Sequence, residues 1–378
     1  VILYIYQKKC GNEVKLMAPT GRAARRMAES TGNGDATTMH MALGLFGDGD
    51  YEALIDELSA DFINVDEVSM VDMHLAYEFF YKVKAGARLL LVGDVHQLPS
   101  VGAGDVFRQL ILCGKIPVTV LNLVYRQGKD SNIPINAQLI NEGKINLQWG
   151  DDFQMVECSG ADAAAQIVKN IYLKEIQMYG MEQVQILSPY KMRSAAGVLE
   201  LNRSLQDEVN PPVFGKREIH LGGEIFREGD RILQNKNTEF ASNGDLGTLV
   251  QIAEDEDNNP LVQIVFTDGR RVKYEAEQVE MIEHANAITI HKSQGSECQV
   301  VIIPWLKAFY PMLKRNIFYT GITRAKQRVY IVGEWKAVCQ AIHTDDTGTR
   351  KTMLAVKIQQ YYERYQRQEN RRIPATIC

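Results

Sequence analysis

Phe62-Ile63-Asn64-Val65-Asp66-Glu67 is a short apolar run closed by two adjacent acids. Such a run reads as a buried parallel strand, and the carboxyl ends of parallel strands are where α/β folds place ligands. Similar branched apolar runs recur at residues 14–18, 89–92, 184–187, 299–303 and 329–332, with helical patterns between them at 21–30, 71–84 and 161–179. This alternation predicts doubly wound α/β domains. Polar residues follow nearly every strand, as in Pro19-Thr20-Gly21-Arg22, Gly93-Asp94 and Ser188-Pro189-Tyr190-Lys191.

Between residues 215 and 283 the texture changes. Short alternating strands at 231–234, 248–252, 261–266 and 271–274 are separated by Asn243-Gly244, Asp257-Asn258-Asn259-Pro260 and Asp268-Gly269. These turn signals predict a small antiparallel barrel inserted in an α/β domain. A second excursion, residues 44–61 around Gly47-Asp48-Gly49-Asp50, interrupts the first domain.

At 378 residues and 45% hydrophobic, the chain can fill two or three cores rather than one. No apolar run approaches the roughly 18 residues that cross a bilayer, and the start has no export-signal pattern, so a cytoplasmic protein is expected. The six cysteines are scattered singly, which predicts reduced thiols rather than a zinc or redox site. A formal net charge of −5 excludes coating of nucleic acid by bulk attraction, so any DNA binding needs a local basic surface.

Four constellations carry chemistry. Asp66 and Glu67 suit a nucleotidase, one acid holding Mg²⁺ and the other deprotonating water, although an acid pair capping a helix after a strand has the same wording. Gln97, in Gly93-Asp94-Val95-His96-Gln97-Leu98-Pro99, can sense a terminal phosphate, or belong to an ordinary strand-to-loop turn. Arg126 and Arg324 are guanidinium groups able to neutralise a phosphoryl group in transfer, and each also fits a plain surface arginine. Thr289-Ile290-His291-Lys292-Ser293-Gln294-Gly295 gathers hydroxyls, amides and a lysine suited to DNA phosphates, and Glu297 beyond it suits a ribose hydroxyl.

In this order the segments resemble the ATPase motor of superfamily-one helicases, in the RecD-like branch. Motif Ia stands as Ala18-Pro19-Thr20-Gly21-Arg22-Ala23-Ala24, motif II as Val65-Asp66-Glu67-Val68-Ser69-Met70, and motif III as Gly93 to Pro99. Motif IV is Val124-Tyr125-Arg126-Gln127, motif V is Thr289 to Gly295, and motif VI is Phe318-Tyr319-Thr320-Gly321-Ile322-Thr323-Arg324-Ala325. The family's Leu-Asn, Leu-Gln, Asn-Pro pattern is met by Leu201-Asn202, Leu205-Gln206 and Asn210-Pro211.

The resemblance implies two RecA-like parallel-sheet domains with an inserted SH3-like β-barrel. The first domain is expected over 1–148 with a pin-like insertion near 44–61, the second over 149–214 and 284–378, and the barrel over 215–283. It implies ATP and Mg²⁺ as cofactors, and single-stranded DNA and single-strand/duplex junctions as partners, with 5′ to 3′ movement and no membrane. Residue by residue, Asp66 falls on the magnesium ligand, Glu67 on the base, Gln97 on the phosphate sensor, and Arg126 and Arg324 on the γ-phosphate arginines. Gly295 and Glu297 fall beside the nucleotide, Glu297 at its ribose. DNA contacts fall on Pro19, Thr20, Gly21, Thr38, His40, Thr289, His291, Lys292 and Ser293.

The family's phosphate loop, G-x-x-x-x-G-K-[ST], does not occur in these 378 residues. The first residues, Val1-Ile2-Leu3-Tyr4-Ile5-Tyr6-Gln7-Lys8-Lys9, resemble the helix that follows that loop. The expectation is a piece of a longer protein that by itself turns over no ATP. Two other readings share these motifs: the helicase portion of a conjugative relaxase, and a single-stranded-DNA-binding module without turnover.

Overall fold

The computed structural model describes residues 2–32, 34–45, 56–121, 131–221, 223–238, 240–254, 259–346, 350 and 352–372. The chain divides into two compact units. One comprises Val1–Pro19, Ala23–Leu123 and Asp346–Cys378, the other Thr20–Arg22 and Val124–Asp345.

The first unit is built on β1 (Val14–Ala18), β2 (Thr37–Thr38), β3 (Phe62–Val65) and β4 (Arg88–Leu91), parallel in the order β2-β1-β3-β4. The helix Gly21–Thr31 lays Ala23, Ala24 and Met27 on Leu16 and Ala18 of β1. On another core, Leu75, Ala76 and Phe79 of the helix Met73–Lys82 meet Met17, Ile63 and Val65. That helix starts where it does because Asp72 Oδ1 accepts from Leu75 N at 2.8 Å, a side-chain cap. The run at 89–92, expected to be buried, is instead an edge strand, with Leu89 36% and Val92 42% exposed. An edge position leaves one side of a strand without a neighbour, and burial falls accordingly.

At the amino end a short α-turn, Ile2–Tyr4, passes into a π-helix, Ile5–Lys9, and Tyr6 stacks on Phe62 at 4.2 Å. The pin-like excursion falls largely on residues 46–55, outside the described residues.

The second unit holds β5 (Phe153–Glu157), β6 (Val184–Ser188), β7 (Glu218–Leu221), β8 (Glu224–Arg227), β9 (Arg231–Gln234), β10 (Leu246–Glu254), β11 (Pro260–Phe266), β12 (Arg271–Tyr274), β13 (Ile282–His284), β14 (Ala287–Thr289), β15 (Cys298–Trp305) and β16 (Ala325–Gly333). Its main sheet is parallel, in the order β14-β6-β15-β16-β5. The helix Ala161–Tyr179 turns Ala164, Val168, Tyr172 and Glu175 inward. Glu175 is fully buried, yet its carboxylate accepts from Arg328 Nη1 at 3.0 Å and from Tyr330 Oη at 2.9 Å, so the charge is paired and hydrogen-bonded.

Inserted after the helix Val198–Val209 is the antiparallel sheet β12-β11-β10-β9-β13, with the hairpin β7-β8 beside it. Ile232, Leu249, Val262, Ile264 and Tyr274 fill its core. The Leu-Asn, Leu-Gln, Asn-Pro pattern explains how it is fastened. Leu201 and Leu205 are fully buried, while Asn202 donates to His284 O and Ala287 O and accepts from Ala287 N. Gln206 and Asn210 each donate to the buried Asp230 carboxylate at 2.7 Å. One face of this helix therefore packs, and its amides tie down the two ends of the insertion.

Two boundaries differ from the sequence expectation. Residues 124–148 belong to the second unit, because the helix Asn132–Asn141 buries Ile133, Ala137 and Ile140 and packs against the helix Arg315–Ile322. The segment from Asp346 onward belongs to the first unit: the helix Leu354–Arg372 sets Leu354 and Ile358 on the core around Leu75 and Phe79. Arg350 donates to Ser100 O, Gly102 O and Gly104 O at 2.6, 2.9 and 2.6 Å. Among the described residues no helix is long and apolar enough to cross a membrane, and Cys10, Cys113, Cys158, Cys298 and Cys339 are free thiols.

Candidate functional site

In the first unit, Asp66 and Glu67 leave the carboxyl end of β3. Asp66 N donates to Met17 O at 3.0 Å, and Asp66 Oδ1 accepts from Glu67 N at 2.8 Å, which fixes the Asp66 carboxylate. Glu67 is left-handed, with φ 52° and ψ 38°. That conformation costs a non-glycine residue about 1–3 kcal/mol and concentrates at functional positions. It ends the strand abruptly and starts the turn Val68–Met70.

Motif III closes on this turn. Val68 N donates to Val92 O at 2.9 Å, and a Cβ on Gly93 would stand 3.1 Å from Ser69 N and 3.2 Å from Val68 N. A side chain here would have to push its neighbours back by a few tenths of an ångström, so glycine suits the close approach between the ends of β3 and β4. Farther on, Gln97 Nε2 donates to Asp94 Oδ2 at 3.4 Å, while Gln97 Oε1 and Ser69 Oγ are buried without a partner. Ser69 has no role in the sequence reading. Its signal was available as the hydroxyl inside motif II.

Of the expected DNA contacts in this unit, Pro19 follows β1 and Thr38 ends β2, and the pairing Ala18↔Thr38 puts the two strand ends side by side. Thr38 caps the helix Met39–Ala42 by accepting from Met41 N at 3.2 Å, and His40 on that helix is exposed. Thr20 and Gly21, which group with the second unit, lie at the entry to the helix Gly21–Thr31.

In the second unit, β14 runs into the turn His291–Ser293. Thr289 Oγ1 accepts from Lys292 N at 3.3 Å. Burial, with a smaller effect of Lys314, lowers the pKa of His291, which makes it a neutral hydrogen-bonding group rather than a cation at neutral pH. Ser293 departs from the expectation of a DNA contact: it is 1% exposed and its hydroxyl donates to Ile290 O at 2.7 Å. The tight turn folds this hydroxyl inward, where it satisfies a backbone carbonyl instead of facing a phosphate. Lys292 Nζ pairs with Glu283 at 3.0 Å.

Gly295 has φ +72°, and beyond it Glu297 pairs with Lys326 at 3.2 Å. Arg324 is 2% exposed; Nε donates to Thr320 O at 3.2 Å and Nη1 to Ser296 O at 3.4 Å. The helix that precedes it, Arg315–Ile322, lies close on the sheet, since a Cβ on Gly321 would come within 3.1 Å of Ile303 and 3.4 Å of Ile290. Motif VI thereby rests on β15 and on the approach to motif V. Arg126 lies outside the described residues.

Family models match in the same order along the chain: an AAA domain over residues 1–161, an ATP-dependent RecD-like DNA helicase SH3 domain over 201–266, and a UvrD-like helicase C-terminal domain over 284–332. The chain is 34% identical over 327 residues to the ATP-dependent RecD2 DNA helicase of Deinococcus radiodurans, a match covering 86% of this chain and 44% of that protein. This chain belongs to the RecD-like helicase family. It is also 29% identical over 382 residues to the RecBCD enzyme subunit RecD of Mycolicibacterium smegmatis, covering 90% of this chain and 66% of that subunit. The chain thus spans about half to two thirds of the length of these relatives. A Pif1 helicase structure, solved to explain unwinding at forked duplex DNA, has a TM-score of 0.53 at 18% identity, covering 96% of this chain and 90% of its own. At that identity the likeness concerns the fold, two parallel α/β sheets with an antiparallel SH3-like insertion.

Proposed function

We propose that this RecD-like chain is the motor portion of an ATP-dependent DNA helicase that moves 5′ to 3′ along single-stranded DNA. The observation that carries the reading is the pair Asp66–Glu67 at the end of a parallel strand, with Asp66 oriented by a backbone N–H and Glu67 held left-handed. An acid pair that merely capped a helix would have no need of that strain.

The residues fit Mg²⁺ and ATP. Asp66 is a hard oxygen ligand of the kind Mg²⁺ takes one or two of, and the buried, partnerless Gln97 Oε1 and Ser69 Oγ are polar atoms awaiting a ligand. When bound, Mg²⁺-ATP supplies the phosphoanhydride whose cleavage drives movement. Asp66 would hold the cation, Glu67 would orient a water and accept its proton, and Gln97 would donate through Nε2 to the terminal phosphate. By resemblance, Arg324 and Arg126 fall on the family's γ-phosphate arginines, where guanidinium charge would serve. The glycine-rich loop that grips the other phosphates does not occur in these 378 residues, so ATP turnover is tested in a protein that carries one.

DNA binding needs no nucleotide chemistry and tests the reading on the chain itself. Pro19, Thr20, Gly21, Thr38 and His40, with Thr289, His291 and Lys292, are proposed to meet the sugar-phosphate backbone, with little base preference. Fluorescence anisotropy across a salt series is expected to show single strands bound more tightly than duplex, with a log–log slope of about −0.7 per neutralised phosphate. Equal or tighter binding of blunt duplex contradicts the assignment.

A further inference from the structure

In the second unit one carboxylate stands between two lysines from different motifs. Glu283 Oε2 accepts from Lys292 Nζ at 3.0 Å and Glu283 Oε1 from Lys191 Nζ at 3.0 Å. Asn235 Nδ2 donates to the same Oε1 at 3.3 Å, and the Oδ1 of Asn235 is buried without a partner. The participants come from separate places: Lys191 follows β6, Lys292 lies in the turn after β14, and Glu283 sits on β13 of the insertion. β6 and β14 are neighbouring parallel strands with Ser188 opposite Thr289, so both lysines leave the carboxyl edge of the sheet, where such folds hold ligands.

The cluster is open to water, with Lys191 42% and Lys292 and Glu283 each 26% exposed. Ion pairs this exposed add little to stability. Burial works against ionisation of Glu283, but Lys292 and Lys191 hold its carboxyl below the usual carboxylate range, so it is an anion at neutral pH. Two ammonium groups converging on one anionic group with two oxygens is also the arrangement that grips a phosphodiester.

We propose that Glu283 is a built-in stand-in for a DNA phosphate: it keeps Lys191 and Lys292 aimed at one point, and a backbone phosphate of the bound strand displaces it. This rests on the single-strand-binding reading above. The exchange swaps one anion for another, so binding gains less than two free lysines would give, and release returns the lysines to a waiting partner. A motor that must let go of each phosphate in turn is served by such a weakened grip.

Glu283→Gln keeps the shape and removes the competing charge. Measured by anisotropy with an oligothymidine of roughly 20 nucleotides, longer than one groove's site, it is expected to bind about tenfold tighter at low salt. Its salt slope should steepen, because a competing negative charge no longer faces the strand. The gain disappears when Lys191→Ala and Lys292→Ala are added. Glu283→Asp, which withdraws the carboxylate by one methylene, gives a smaller gain and guards against a folding defect, which the melting temperature of each variant reveals. If both folded variants bind no tighter than wild type while the lysine substitutions still weaken binding, the lysines hold the strand and Glu283 does not compete, which overturns the proposal alone. If wild type shows no preference for single strands, the underlying reading fails and the proposal falls with it.

Discussion

In a protein that joins a G-x-x-x-x-G-K-[ST] loop to this chain, Glu67→Gln is expected to slow single-strand-stimulated ATP turnover by roughly 10²-fold or more while nucleotide still binds. The argument is local. Glu67 occupies a left-handed position that any non-glycine residue pays to adopt, and glutamine pays the same, so the turn Val68–Met70 and its bond to Val92 O are kept. Asp66, oriented by the Glu67 N–H rather than by its side chain, keeps its place too. What changes is the ability to take a proton from water, because an amide oxygen is a far weaker base than a carboxylate. Turnover within a few-fold of the parent would remove Glu67 from the role of base and return the acid pair to a structural one.

Arg324→Ala, in the same loop-bearing protein, is expected to lower turnover by about 10³-fold, the scale of an arginine finger. Arg324 is almost wholly buried, so its guanidinium is placed by the fold rather than free in solvent. Its Nε and Nη1 donate to Thr320 O and Ser296 O, so the group is held at a fixed place at the amino end of β16. Lysine at this position keeps the charge but not the planar fork, and restores only part of the rate. The melting temperature separates a chemical loss from a packing loss: an unchanged rate in a folded Arg324→Ala variant shows the residue to be structural.

The fold was largely legible from periodicity. β1, β3, β9 and β12 and the helix Ala161–Tyr179 have the bounds that apolar runs and helical spacing suggest, because each run is long enough to bury one face and is cut by a turn residue. The two-residue β2 and the three-residue β13 and β14 were not, since strands so short carry no pattern and exist through their neighbours. Edge status was equally invisible: β4 has a core strand's wording, but its exposure is decided by what pairs beside it. The return of the segment from Asp346 to the first unit depends on Arg350 meeting three carbonyls of the 100–104 loop, a tertiary fact without a local signal.

At the site, residue types and their order were readable and side-chain directions were not. The wording of motif V offers Ser293 to DNA as readily as Lys292, yet the turn folds the hydroxyl onto Ile290 O. Glu283 carries no motif at all and is found only because β13 brings it to two lysines. Conversely, the amides of the Leu-Asn, Leu-Gln, Asn-Pro pattern, noted only as a family mark, fasten the inserted sheet through Asp230.

The most direct test of the central claim is strand displacement by the loop-bearing protein on two matched duplexes, one with a single-stranded 5′ tail and one with a 3′ tail, with ATP and Mg²⁺. The account predicts displacement from the 5′-tailed duplex and little from the 3′-tailed one, abolished by Glu67→Gln. Displacement from the 3′ tail alone, or none from either despite ATP turnover, would contradict it.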